Sequence, residues 1–287
     1  MSLLYDPDRH RSVDFVLHPT DLSEASERAF HHALAIAVRE SAQFTLLHAI
    51  GRRATDNWPG FPSVRGKLSD WRSAGTLEDL ESRAKRVSVS KIEVDIRDPV
   101  AACLEYIGRH AVDMIVLATA DRGGLTRLLR ASRAERLARE SRIFTLFVPE
   151  GGRYFVDAQT GSVDLRRILV PVDAKTDPRP AMIRAVSVAA LLEDPDLEIT
   201  LLHVSDDEEE AMAMDVPDLP FCRWNVVRRS GDPAEEIIQV ADELPADAVY
   251  MSTNWSRTRL GRSEGTVTEE VIAAAICPVA AVPVEGP

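Results

Sequence analysis

Four short segments of this chain occur twice, in the same order. Val16-Leu17-His18-Pro19-Thr20-Asp21 returns as Ile168-Leu169-Val170-Pro171-Val172-Asp173, and Thr45-Leu46-Leu47-His48 as Thr200-Leu201-Leu202-His203. Asp98-Pro99 returns as Asp232-Pro233, and Asp113-Met114-Ile115-Val116 as Asp247-Ala248-Val249-Tyr250. Conserved order means a duplicated unit, hence two domains of one fold with two equivalent sites, each free to change alone. The offset between copies falls from 152 (173 minus 21) to 134 (232 minus 98), so the first copy is longer between its second and third segments. The extra length is an excursion over residues 50–90, with Trp58, Phe61, Trp71 and a helical pattern near 76–87. The second copy has a short acidic run there, Asp206-Asp207-Glu208-Glu209-Glu210, which reads as a solvated loop.

Each copy alternates short apolar runs with helical periodicity, the signature of an α/β fold with a parallel sheet. In the first copy strands are expected at 14–18, 44–49, 91–96, 114–119 and 143–148. Its helices are expected from Asp21 or Ser23 to about 40, from Pro99 to about 110, and over 132–141. In the second copy strands are expected at 167–170, 198–204, 223–228, 248–252 and 279–282, with helices at 179–192, 234–244 and 266–276. Residues 150–164 contain three glycines and no helical period. They read as a connector, giving domains 1–150 and 164–287 with a linker over 151–163.

The 287 residues suit two domains of ordinary size. A net charge of −12 opposes binding to nucleic acid or anionic membranes, so neither is an expected partner. Cys103, Cys222 and Cys277 are scattered, with no spacing for zinc or a disulfide framework, which points to a reducing compartment. No signal-peptide pattern opens the chain, and the longest apolar run, 271–284, is short for a membrane span and holds two prolines. The expected location is the cytoplasm.

Right-handed crossovers favour an open sheet with strand one central and a crevice where the strand order reverses. The loops after strands one and four then carry the candidate ligand sites. In the first copy these are Pro19, Thr20 and Asp21 with Thr119, Arg122, Gly123 and Gly124. In the second they are Pro171, Val172 and Asp173 with Ser252. A carboxylate in the first loop can accept hydrogen bonds from an adenine or ribose. A helix N-terminus near the second can receive phosphate. Either aspartate can equally be a plain helix cap.

In this order the segments resemble the universal stress protein family in its tandem two-domain form. The resemblance spans nearly the whole chain apart from 50–90 and 150–164, and Arg122-Gly123-Gly124-Leu125-Thr126-Arg127-Leu128-Leu129 through Ser132-Arg133-Ala134-Glu135-Arg136 is especially close. It implies two Rossmann-like domains of the adenine nucleotide alpha hydrolase-like kind, each a five-stranded parallel sheet flanked by helices. It also implies pairing of the two units through their fifth strands, with a homodimer expected.

Some members of the family bind ATP through G-x2-G-x9-G-[ST], whose glycines let backbone approach phosphate. Here those positions hold Ala118, Asp121 and Ala131 followed by Ser132, and Ser252, Trp255 and Gly265 followed by Thr266. The first copy keeps none of the three glycines, and the second keeps only the final pair, with Trp255 expected to fill the approach. From Asp121 to Arg142 there are seven arginines and three acids. Arg127, Arg130, Arg133, Arg136, Arg139 and Arg142 recur every third residue and wind around a helix, so only a subset can face the crevice. Arg133 is the candidate that joins the site; the alternative is a solvated helix laced by a Glu135–Arg139 pair.

No G-x-S-x-G, G-x4-G-K-[ST] or H-E-x-x-H is present, and neither is S-G-G-x-D-S, typical of hydrolase relatives of the fold. His31 and His32 project about 100° apart on a helix, unsuited to chelation. His18, beside the crevice, is a candidate for titration shifted toward neutral pH. The expectation is a non-enzymatic stress-response protein that binds a small molecule, a nucleotide or a protein partner, with degenerate nucleotide sites, no cofactor and no metal. The alternative is an ATP or AMP sensor, or slow ATP hydrolase, using arginines in place of the glycine loop. A third reading makes Trp58 and Trp71 anchors for another protein.

Overall fold

The computed structural model describes residues 13–49, 60–76, 81–119, 125–173, 176–192, 194, 196–206, 216, 219–255 and 266–284, with backbone alone for 125–132. The chain divides into two compact units, Ser12–Asp164 and one containing Leu165–Pro287.

The first unit runs β1 (Phe15–Pro19), α1 (Glu24–Glu40), β2 (Gln43–Ala49), α2 (Val64–Ser73), α3 (Glu81–Ala84), β3 (Val89–Val94), α4 (Pro99–Ile107), β4 (Met114–Thr119), α5 (Leu125–Ser141) and β5 (Phe144–Pro149). Its strands are parallel in the order β3-β2-β1-β4-β5. The second runs β6 (Arg167–Val172), α6 (Arg179–Leu192), β7 (Glu198–Val204), β8 (Arg223–Arg229), α7 (Pro233–Glu243), β9 (Ala248–Thr253), α8 (Val267–Ala274) and β10 (Val279–Pro283). Its order, β8-β7-β6-β9-β10, repeats the first. Both are the expected α/β fold with strand one central.

The repeated segments turn out to be the devices that set this topology. The aspartate ahead of each fourth strand holds the start of each first strand. Asp113 Oδ2 accepts the amides of Asp14 and Phe15 at 3.0 and 2.9 Å, and Asp247 Oδ2 those of Arg166 and Arg167 at 2.9 and 2.8 Å. Asp98 and Asp232 cap α4 and α7, each followed by proline at the first helical position, where no amide needs a partner. Replacing Asp113 or Asp247 by alanine should cost about 1–2 kcal/mol each, since a charge-assisted pair of backbone bonds at a partly exposed site is lost; urea unfolding checks this.

β1 and β4 pair only through Val16↔Met114 and Leu17↔Ile115, and β6 and β9 only through Ile168↔Ala248 and Leu169↔Val249. Beyond these pairs the strands part, which opens a crevice at their carboxyl ends. The parting takes the ladder partner from the Val116 carbonyl. His18 supplies a replacement, its Nδ1–H donating at 2.9 Å from a fully buried ring. The second unit has Val170 there.

The extra length of the first copy folds over α1. Ser63 caps α2 and Gly75 (φ +82) follows it; of the 76–87 stretch where a helix was expected, residues 77–80 lie outside the described residues and α3 falls in the remainder. Trp71 on α2 is completely buried. Its Nε1–H donates to the Ala158 carbonyl at 3.2 Å, and its indole leaves no room for a Cβ on Gly161, which would lie 2.2 Å from Cδ2.

Residues 150–164 are therefore a folded part of the first unit and not the linker expected there. Asp157 Oδ1 accepts the amides of Gln159 and Thr160, a Val156↔Val163 bridge closes the turn, and Tyr154 and Phe155 pack edge-on against His32 at 5.9 and 4.6 Å. Covered on both sides, α1 buries eleven of its seventeen residues, among them both His31 and His32. Trp71 is thus a core residue, not an exposed anchor; Trp58 lies outside the described residues.

Candidate functional site

Ser23, not Asp21, caps α1, accepting from the Ser26 amide. Asp21 sits one turn before the helix, its Oδ1 accepting from the Ser23 amide at 3.1 Å and hydroxyl at 2.5 Å across Leu22 in the left-handed region (φ +62). The Thr20 hydroxyl is turned inward, accepting from the Leu22 amide at 3.0 Å and lying 2.9 Å from Ser26 Oγ. His48 Nδ1–H donates to the Thr20 carbonyl at 2.8 Å, a satisfied structural histidine that fixes this loop.

These residues open onto a cavity of ≈ 150 Å³ in the first unit. Pro19, Thr20, Asp21, Thr119 and Arg133 line it, together with Ala118. Arg122, Gly123 and Gly124 lie outside the described residues. His18 lies behind the wall. Burial pushes its pKa down from 6.5 to about 4, against the Val116 hydrogen bond and the Asp21 charge, so the expected shift toward neutral pH is wrong. Its Nε2 faces Ser26 Oγ at 3.4 Å inside the core.

The larger correction concerns α5, which starts at Leu125, seven residues before the expected 132. Residues 125–131 contain neither glycine nor proline, so helix propagates through the place where the family signature keeps a loop. Ser132 therefore lies within the helix and not at its N-terminus, and its amide is not free for phosphate. Arg136 is also committed elsewhere. Its Nη1 donates to Asp98 Oδ2 at 2.9 Å and its Nε to Glu140 Oε1, an i,i+4 partner, at 2.7 Å. Arg136→Ala should leave ligand titrations unchanged and cost under about 1 kcal/mol of stability, as both partners are largely exposed.

The second unit is different. Pro171, Val172, Asp173, Ser252 and Thr266 all line one cavity of ≈ 620 Å³. Asp173 Oδ1 accepts the Thr176 amide at 2.5 Å, and Ser252 Oγ that of Ala181 at 3.1 Å. Thr266 caps α8 in a reciprocal box with Glu269, which places the helix N-terminus at the cavity wall. Trp255 is not among the described residues that line this cavity. Gly265 lies outside the described residues.

Sequence reasoning missed one wall of each cavity. Leu47, His48 and Ala49 with Pro99, Val100 and Cys103 line the first; Leu202 to Asp206 with Gly231, Pro233 and Ile237 line the second. The signal was present, since these are the repeated Leu-Leu-His and Asp-Pro segments. Cys103 is wall, not nucleophile: burial pushes its thiol up to about 12. Among the described residues no group of three His, Cys, Asp or Glu is placed to hold a metal, and no helix is long and apolar enough to cross a membrane.

Comparison with solved structures gives the same architecture. A universal stress protein from Archaeoglobus fulgidus DSM 4304 superposes with TM-score 0.62 at 18% identity, over 96% of this chain and 98% of that one. A protein of unknown function from Pseudomonas aeruginosa PAO1 does so with TM-score 0.55 at 15% identity, over 96% and 94%. The cytoplasmic domain of a prokaryotic cation chloride cotransporter gives 0.50 at 12%, over 93% and 94%, so likeness of fold alone does not carry a function. None of the curated proteins compared with the chain matches significantly. The model of the universal stress protein family matches residues 14–149 and 218–283, most of the first unit and the later part of the second. With both units built alike and both matched, this chain belongs to the universal stress protein family.

Proposed function

We propose that the chain is a non-enzymatic binding protein with two unequal ligand sites. The second domain keeps room for a nucleoside or nucleotide, and the first no longer accepts a triphosphate. The observation that carries this is the unbroken course of α5 from Leu125, which replaces a loop of free amides by helix whose amides beyond the first turn, including that of Ser132, are already bonded. The two volumes agree with it. A cavity of ≈ 620 Å³ is within the usual range for small-molecule sites, and one of ≈ 150 Å³ is well below it. The alternative, arginines of α5 standing in for the glycine loop, loses Arg136 to Asp98 and Glu140.

Calorimetric titration of the full chain with adenosine, AMP and ATP tests the reading. It predicts one equivalent bound, an affinity that rises less than about tenfold from adenosine to ATP, and a loss of about tenfold in Asp173→Ala. Two equivalents of ATP, or sustained phosphate release from ATP, would contradict it.

A further inference from the structure

We propose that the first cavity is a site for a small aromatic or branched carboxylic acid, its apolar part enclosed and its carboxylate on Arg133. This rests on the reading that the first domain has ceased to be a triphosphate site, and names what the remaining space fits. The walls are apolar and buried: Leu47, Val100, Cys103, Leu117, Ala134 and Leu137. An apolar cavity of about 150 Å³ holds a single benzene ring, and the volume here is ≈ 150 Å³. A purine with its ribose is too large for that space.

The polar groups at the mouth decide the charge of the ligand. Thr20, His48 and Asp21 are engaged by their own loop, with Ser26, the Thr20 carbonyl and Ser23 respectively. Arg133 makes no hydrogen bond or ion pair with the described residues, although it lines the cavity and its neighbour Arg136 is doubly paired. The carboxylate of Asp21 is turned onto the Ser23 amide and hydroxyl, so the charged group at the mouth that the described residues leave for a ligand is the Arg133 guanidinium. A guanidinium beside an apolar slot recognises a carboxylate in a bidentate manner. Cys103 stays a neutral thiol at physiological pH and supports the apolar wall.

The test uses benzoate, benzyl alcohol of the same shape without the charge, and adenosine, each titrated into the full-length protein. Benzoate should saturate with a dissociation constant of about 1 mM or below. Benzyl alcohol should bind about tenfold or more weakly, and Arg133→Met, an exposed position, should erase that difference. Ala134→Leu, which fills the cavity, should abolish both. Absence of saturable benzoate binding, equal affinities for the two probes, or a preference that survives Arg133→Met would overturn the proposal. Adenosine reports the second domain separately, so failure with benzoate and failure with adenosine count against different conclusions.

Discussion

Gly161→Ala is expected to destabilise the first domain by roughly 2–4 kcal/mol and to move the tryptophan emission to longer wavelength. Two independent penalties combine. The residue has φ +72, which disfavours any side chain, and the added Cβ would fall 2.2 Å from Trp71 Cδ2 and 2.5 Å from Cε3. The indole cannot yield sideways without breaking its bond to Ala158 and uncovering His31, whose ring lies 6.4 Å from it. Gly60→Ala is the control, since nothing lies within 4 Å of a Cβ there; its effect should stay within about 0.5 kcal/mol. Urea midpoints that coincide for the two variants would show that residues 150–164 do not lock α2 onto α1.

Acid should unfold the first domain before its carboxylates protonate. His18, His31 and His32 are buried, and burial lowers each from 6.5 to about 4. For His31 the charges of Lys67, His32, Arg28 and His18 act in the same direction, with Glu27 Oε1 3.9 Å from its Nε2. Neither ring nitrogen of His31 has a hydrogen-bond partner, so the core offers a charged imidazole little compensation. The folded values lie below the unfolded one, so the unfolded chain binds more protons between them. The stabilisation is complete above about pH 6.5 and is lost as pH falls toward 4, on the order of 3 kcal/mol for each histidine.

Three such groups rival the whole stability of an ordinary domain. The urea midpoint read from Trp71 emission should therefore fall steeply between about pH 6.5 and pH 5, and His31→Gln with His32→Gln should flatten that slope. A midpoint constant over this interval would mean that the imidazoles are solvated.

The sheet was legible because duplication gives each strand two independent witnesses. β4 and β7 have the bounds expected, for β4 is buried along nearly its whole length and β7 across its five central residues, and their apolar runs end where burial ends. β3 was misplaced by two residues. It is an edge strand with alternating half-exposure, so its pattern is weaker. The reach of α5 before residue 132 was missed although Leu125 to Ala131 carry plain helical propensity. The 150–164 segment was judged by its glycines, although Tyr154, Phe155 and Val156 carried the contrary signal. Gly161 is a glycine because of Trp71, a contact ninety residues away in sequence that no local pattern records.

For the sites, the candidate residues with described side chains do line cavities, but sequence could not show that the two differ about fourfold in volume. Volume depends on how β1 and α5, or β6 and α8, are spaced, and spacing is a property of packing. His18 illustrates the same limit. Its position beside the crevice was read correctly, yet its ring points to Val116, where two strands part.

Crystals of the full chain grown with AMP would test the inequality of the two domains most directly. The account predicts nucleotide density in the second domain, against Asp173, Ser252 and the amino end of α8, with none between Asp21 and Arg133. Density for AMP in the first cavity, with α5 unwound to admit its phosphate, would contradict it.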